Sequence, residues 1–563
     1  MLLSKVLHIK SSMLFCLPSC FVFIGQFALL LNFMRMDPDP HHDGIVYAPA
    51  VAISSGGFPN KDVFAQYGPL VPTLQGLWIK LFGPELLNLR IQAALISVSM
   101  SIIIWYTVRN FIGEFKALLL SSVWVLTIPS VLPWPTLFST LITLVSLLML
   151  VDFKAKQITH HKVRILSSVI ILSIGSFGRL HVLIVFVAVA LLFLLKKDPR
   201  MPYLKYWLSG GFGTIATILF ILGMFNALNS FINQSIIWPF FRYSRPEVTT
   251  SYIVNAFFYP TIFVACICLF LSVYLLQKKF TGFAVSQFYV VGLFVSFFII
   301  SQFAREGYLS LRNPKILAID FSKNMLNSLS YLGAFSTFLA FLTLVFYFKK
   351  VSFFSAVLIV YSASMLTQLY PLYDISHLWM IAPILIICGV VIFSTYEFFK
   401  NFIDPSLSFF LIGLLTALIL QANSFFSIDR VGFQSVSLKG MLAPNNYARE
   451  LDKTLINLEL ILKPKSTKFD CINGIYAAAG GKYLASSPQF INWGPGNGSR
   501  VVFTGGQGIL REPIQGKSIF VCAISSLQIE TYSQLGYRTA IKDPVTLFGE
   551  LKHTDYWNVL FIK

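Results

Sequence analysis

Charge is what this chain has least of. Only 12% of its 563 residues are Asp, Glu, Lys or Arg, about half the share of an ordinary globular protein. The acids are scarcest, 24 against 43 basic residues. The apolar excess rules out a disordered chain, a coiled coil and a collagen-like repeat. The seven cysteines show neither a CxxC pair nor a histidine partner at zinc spacing. Cys266 and Cys268 lie inside an apolar run and read as small hydrophobes. There is no P-loop, no Rossmann glycine fingerprint and no internal repeat of the kind that marks many secondary transporters. A signal-peptide pattern is missing as well. The stretch from Met13 to Met34 is too long for such a core and has no Ala-x-Ala site, so it reads as a retained first span.

What is present is apolar surface. Hydrophobic residues make up 56% of the chain and Phe alone occurs 55 times, more than one soluble core can hide. The expected fold is an all-α polytopic membrane bundle. Apolar runs place spans near 13–34, 89–110, 116–132, 136–152, 164–178, 180–195, 206–226, 259–277, 283–302, 325–348, 351–370, 378–397 and 407–422, so eleven to thirteen are expected. The net charge of +19 is not a nucleic-acid footprint. Lys and Arg cluster in short stretches between the runs, at Lys154–Arg164, Lys196–Lys205, Lys278–Lys279 and Lys349–Lys350. All four follow even-numbered spans, which puts them and the N-terminus in the cytoplasm. The outer face then receives loop 35–88, loops 227–258 and 303–324, the turn at 371–377 and everything after about 422.

Residues 423–563 change character, so the chain divides into a membrane domain, 1–422, and an outer domain. Alternation at Ser518–Ile524 and Tyr556–Ile562 predicts strands, and Tyr447–Leu462 predicts an amphipathic helix. A small α/β or α+β domain is expected. Its cysteines, Cys471 and Cys522, would sit where a disulfide can form.

Loop 35–88 is the most informative stretch. It begins Met36-Asp-Pro-Asp-Pro-His-His-Asp-Gly44, with three Asp and two His in a chain poor in acids. Pro38 and Pro40 are expected to hold it extended. Such a strip suits a general base or a divalent metal, with Asp43, His42 and His377 as metal candidates. Asp39 and His42 would support Asp43, and Asp62 and Tyr67 follow in Asp62-Val-Phe-Ala-Gln-Tyr-Gly-Pro-Leu70. Val71–Phe82 places Leu74, Leu77, Trp78 and Leu81 on one face with Lys80 off it, the pattern of a helix lying on a membrane. Gly83-Pro84 closes it and Arg90 opens the second span.

The order of these features resembles the first extracytoplasmic loop of GT-C-type membrane glycosyltransferases: first span, acidic motif, a second Asp, Gly-Pro-Leu, a Leu-Phe-Gly turn and an Arg. Within that group it is most similar to the bacterial branch that includes protein O-mannosyltransferase relatives and aminoarabinose transferase. The resemblance is specific over residues 35–90 and architectural elsewhere. It implies about a dozen spans, a polyprenyl-phosphate-linked sugar as donor, and a glycan, lipid or protein acceptor. It implies that Asp43, followed here by Gly44 rather than Glu, is the catalytic carboxylate.

Other residues fall on the same outer face. Asp374 and His377 sit three apart between two spans. They would either share a polar cavity or act as a helix start with Asp374 as N-cap. Arg179 and His181 lie in the hairpin Phe177-Gly-Arg-Leu-His181 and are candidates for that cavity. Arg242, Arg245, Arg305 and Arg312 run against the cytoplasmic bias, so they would meet a lipid phosphate or anchor in headgroups. Two other classes share the spans and the outer arginines. A transporter or flippase of a lipid-linked or anionic substrate does not need an acidic first loop. A polysaccharide polymerase or ligase relies on a large late loop instead.

Overall fold

The structure, a computed structural model, describes residues 19–38, 42–127, 133–159, 161–195, 201–242, 375–394 and most of 334–369 and 429–456. It also describes strand segments at 468–470, 519–523, 538–543 and 558–562. Described residues before 400 are mostly helical. The helices are α1 (Ser19–Met34), α2 (His42–Ser54), α3 (Leu70–Phe82), α4 (Leu86–Ile112), α5 (Glu114–Leu126), α6 (Pro135–Leu150), α7 (Lys162–Ser176), α8 (Val182–Leu195) and α9 (Met201–Met224). After them come a short α10 (Leu228–Phe231), a π-helix (Ile232–Arg242), α11 (Phe353–Leu366) and α12 (Ile375–Phe393).

Each span expected between residues 13 and 226 coincides with one of α1 and α4–α9, and those at 351–370 and 378–397 with α11 and α12. The spans expected at 259–277, 283–302 and 407–422 lie outside the described residues, and the one at 325–348 is described from 334, with a short apolar helix at Ser336–Phe346. Length departs from expectation. Among the described residues only Leu86–Ile112 and Tyr203–Met224 are long and apolar enough to cross a membrane by length and composition. The cause is local. Gly113, at φ +86°, ends α4 and starts α5, and Pro135 opens α6 where its missing N–H costs nothing.

Hydroxyls and amides tie the helices together. Gln26 of α1 donates to Ser122 of α5 at 2.8 Å and accepts from Ser101 of α4 at 3.0 Å. Ser146 of α6 lies 3.0 Å from both Ser168 of α7 and Tyr361 of α11. Trp124 of α5 and Trp379 of α12 stack with centroids 5.0 Å apart, and each indole N–H donates to the other's carbonyl, at 3.2 and 3.0 Å. That lock fixes the start of α12, two residues past His377. The basic stretch after α6 folds as a tight hairpin of β1 (Val151–Asp152) and β2 (Gln157–Ile158).

The region after 422 carries the expected strands. β3 (Arg430–Gly432) pairs antiparallel with β4 (Leu442–Pro444). β5 (Lys468–Asp470), β6 (Ile519–Ala523), β7 (Arg538–Asp543) and β8 (Asn558–Ile562) form one mixed sheet ordered β5-β6-β8-β7. Of the stretch 447–462, expected as an amphipathic helix, the described residues up to 456 bury Ala448, Leu451 and Leu455 in one cluster with Tyr47, Ile79, Leu86 and Leu89. The first loop and the segment at 429–456 therefore share a core.

Candidate functional site

Asp43 is not on an extended strip, as the prolines suggested. It stands in the first turn of α2, where a negative charge complements the helix dipole. It shares the buried face of that helix with Val46, Tyr47 and Ala50, at spacings of three, four and seven. Its side chain is wholly buried and is held by Arg90 as a fork: Nε donates to Oδ1 at 3.1 Å and a terminal nitrogen to Oδ2 at 2.5 Å. The remaining Arg90 donors reach main-chain carbonyls, those of Met34 at 3.1 Å, Met36 at 2.7 Å and Asp37 at 3.2 Å. A guanidinium has five N–H groups, and all five are engaged. Arg90 was legible only as the residue opening the second span. In the structure it caps the end of α1 and fixes the plane of the Asp43 carboxylate.

The loop after α2 turns back on itself. Asp62 is exposed, and its carboxylate accepts the Phe58 N–H at 2.9 Å, which closes a turn. Asn60, at φ +63° and fully buried, donates to Gln234 and Ser235 of the π-helix at 3.0 and 3.3 Å. Gly68, at φ +113°, lets the chain press onto the Phe177 carbonyl, which a Cβ would strike. The Leu70 N–H donates to the same carbonyl at 3.1 Å.

That docking seats Tyr67 against a second polar group. The Arg179 guanidinium lies over the Tyr67 ring, 5.3 Å from its centroid. It donates to Thr136 Oγ1 and, at 2.8 Å, to the Gln368 carbonyl. The Gln368 side chain accepts from Ser139 at 3.1 Å. Trp134 sets its ring edge-on to Tyr67 at 5.9 Å and donates from Nε1 to His377 Nε2 at 3.0 Å. Tyr67, Arg179 and His377, far apart in sequence, are thus brought together. Trp134 and Thr136 do the joining and were not singled out, because they read as the edge of an apolar span. His181 lies on the turn before α8. Its Nδ1 is buried without a hydrogen-bond partner. Burial, reinforced by the Arg179 charge, pulls its pKa down from 6.5 to about 3, so it is neutral.

Asp39, Arg245, Arg305, Arg312, Asp374 and Cys471 lie outside the described residues, as do the side chains of His42, Arg242 and Cys522. Among the described residues no three His, Cys, Asp or Glu side chains gather as a divalent ion would need; Asp43 accepts from Arg90, and His377 Nε2 from Trp134.

No protein-family model and no curated protein matches the chain. Among solved structures it is similar to ArnT from Cupriavidus metallidurans bound to undecaprenyl phosphate, at 11% identity over 98% of each chain with a TM-score of 0.44. It is also similar to the oligosaccharyltransferase AglB from Archaeoglobus fulgidus in complex with an inhibitory peptide and a dolichol-phosphate. There the identity is 11% over 83% of this chain and 64% of that one, with a TM-score of 0.43. Both are GT-C glycosyltransferases, the class that residues 35–90 resemble. At these values the likeness is one of chain path and assigns no activity.

Proposed function

We propose that the chain is a multi-pass membrane glycosyltransferase, which moves a sugar from a polyprenyl-phosphate donor to an acceptor hydroxyl on the extracytoplasmic face. The reading rests on one observation. A buried carboxylate, Asp43, stands in the helix that follows the first apolar helix, and a guanidinium fork fixes the plane of its oxygens. In this reading the Asp43 carboxylate takes the proton of the acceptor hydroxyl. The hydroxyl oxygen then bonds to the anomeric carbon from the side opposite the lipid phosphate. The bond from that carbon to the phosphate oxygen breaks, and its electron pair leaves on the phosphate. The configuration inverts, and the transition state has the oxocarbenium character of glycoside hydrolysis. Arg242, Arg245, Arg305 and Arg312 are proposed to receive the phosphate charge, and the cluster of Tyr67, Arg179 and His377 to line the donor cavity. His181 and Asp374 are proposed for the same cavity, and the region 423–563 to cover it.

The test is transfer by the reconstituted full chain from a panel of polyprenyl-phosphate sugars, compared with Asp43→Asn. Loss of a general base should lower turnover about 10²–10⁴-fold while donor binding stays near wild type. Undiminished transfer by Asp43→Asn would remove Asp43 as the base. Donor movement across vesicles without any transfer by wild type would replace the enzyme with a transporter.

A further inference from the structure

Two guanidinium–carboxylate forks stand in series at the end of α1. The first joins Arg430 of β3 to Asp37, with Nε to Oδ1 at 3.0 Å and a terminal nitrogen to Oδ2 at 2.9 Å. The Arg430 side chain is 5% exposed, and that of Asp37 is 44% exposed. The second fork is Arg90 on Asp43. One peptide connects them, because the Asp37 carbonyl accepts from Arg90 at 3.2 Å.

That peptide does not sit in an ordinary conformation. Asp37 has φ +48°, a left-handed backbone that a residue with a Cβ adopts only when something holds it. Three contacts from the late part of the chain do so. The Asp37 N–H donates to the Leu442 carbonyl at 2.7 Å, the Leu442 N–H donates to the Arg35 carbonyl at 2.6 Å, and Arg430 grips the carboxylate. Arg35 also donates from Nε to the Gly440 carbonyl at 3.1 Å. Residues 35–37 meet β4 through an isolated parallel bridge between Met36 and Leu442. If the 36–38 backbone relaxed, two acceptors of Arg90, the Met36 and Asp37 carbonyls, would move with it. The fork on Asp43 would then lose its fixed plane.

We infer that Arg430 is a positioning residue for the proposed base, acting through Asp37 and Arg90 on Asp43, and that the β3–β4 segment is a working part of the site. The inference rests on the reading of Asp43 as base. Positional errors of about 1 Å at a reacting group cost up to roughly 10²-fold in rate.

The experiment measures kcat and donor KM of the reconstituted full chain for Arg430→Met, Arg430→Lys, Asp37→Asn and the swap Asp37→Arg with Arg430→Asp. Thermal unfolding is recorded alongside. Misplacing the base should lower kcat about 10–100-fold in Arg430→Met, with KM within about twofold. Arg430→Lys should resemble it, because an ammonium cannot make the fork. Asp37→Asn should match Arg430→Met, and the two together should lose no more than either alone. The swap should recover part of the rate. In an Asp43→Asn background Arg430→Met should cause no further loss. Wild-type kcat in Arg430→Met and Asp37→Asn would overturn the inference. So would a loss that multiplies with Asp43→Asn, or one that follows the unfolding temperature alone. If Asp43→Asn itself transfers normally, the base assignment has failed and the inference fails with it. An impaired Asp43→Asn beside an unimpaired Arg430→Met removes only the inference.

Discussion

Trp134 and His377, 243 residues apart, are joined by one 3.0 Å hydrogen bond from the indole Nε1 to the imidazole Nε2. An accepting Nε2 places the imidazole proton on Nδ1, so the bond selects a tautomer as well as an orientation. The same indole ring supports Tyr67, which lies over Arg179.

That geometry separates two variants. Trp134→Phe keeps an aromatic ring and removes one donor, so it should cost about 1 kcal/mol. Trp134→Ala also removes a buried ring and should cost about 3–5 kcal/mol. Thermal unfolding of the purified protein reads both. Equal losses would mean that the hydrogen bond carries the whole effect and the ring none.

The Asp43–Arg90 pair allows stability to be separated from activity. Arg90→Met leaves a buried carboxylate without its cation and should destabilise by about 3–5 kcal/mol. Adding Asp43→Leu removes the stranded charge and should recover part of that loss. Recovery stays partial because three carbonyls that Arg90 served remain without it. Transfer should remain abolished in the double variant. A double variant less stable than Arg90→Met would show that the remaining Asp43 is stabilising without its cation.

His181 predicts an acid sensitivity. Its folded pKa, about 3, lies below the ordinary 6.5. The unfolded chain therefore takes up the proton first as pH falls. The stability is fully present above about pH 6.5 and is lost progressively from there toward pH 3. His181→Leu abolishes this titration and leaves no orphaned ring nitrogen. Its unfolding temperature should fall less than that of wild type between pH 7 and pH 4. Parallel curves would assign the acid loss to other groups.

Orientation can be read chemically. Lys439 and Lys156 are both exposed. In variants lacking other accessible thiols, Lys439→Cys should react with an impermeant maleimide from outside intact cells and Lys156→Cys should not. Labelling of both, or of Lys156→Cys alone, would contradict the expected topology.

Much of this architecture is written in apolar periodicity. The runs at 164–178 and 180–195 marked α7 and α8, and Arg179 and His181 lie in the turn between those helices. The alternation around Phe520 and Phe561 marked two strands that do pair. Other features have no local signal. Asp37, Asp39 and Asp43 look alike in sequence, and only the approach of Arg90 from α4 and Arg430 from β3 gives Asp37 and Asp43 different roles. The prolines suggested an extended strip through Asp43, but the buried face that begins at Asp43 and runs through Val46, Tyr47 and Ala50 made a helix. Trp134 was hidden by its own hydrophobicity, since an indole reads as part of a span until its N–H is seen to have a partner.

The bridge between Met36 and Leu442 of β4 also has a consequence in time. Arg35 and Gly440 are 405 residues apart in sequence. At about 5–20 residues per second, a ribosome that has made one needs roughly 20–80 s to make the other. For that interval the nascent chain carries Arg90 and Asp43 without the segment that holds the Asp37 peptide. The site is then completed after the helices before it have been made, so a polypeptide released early would be left with an unfinished centre.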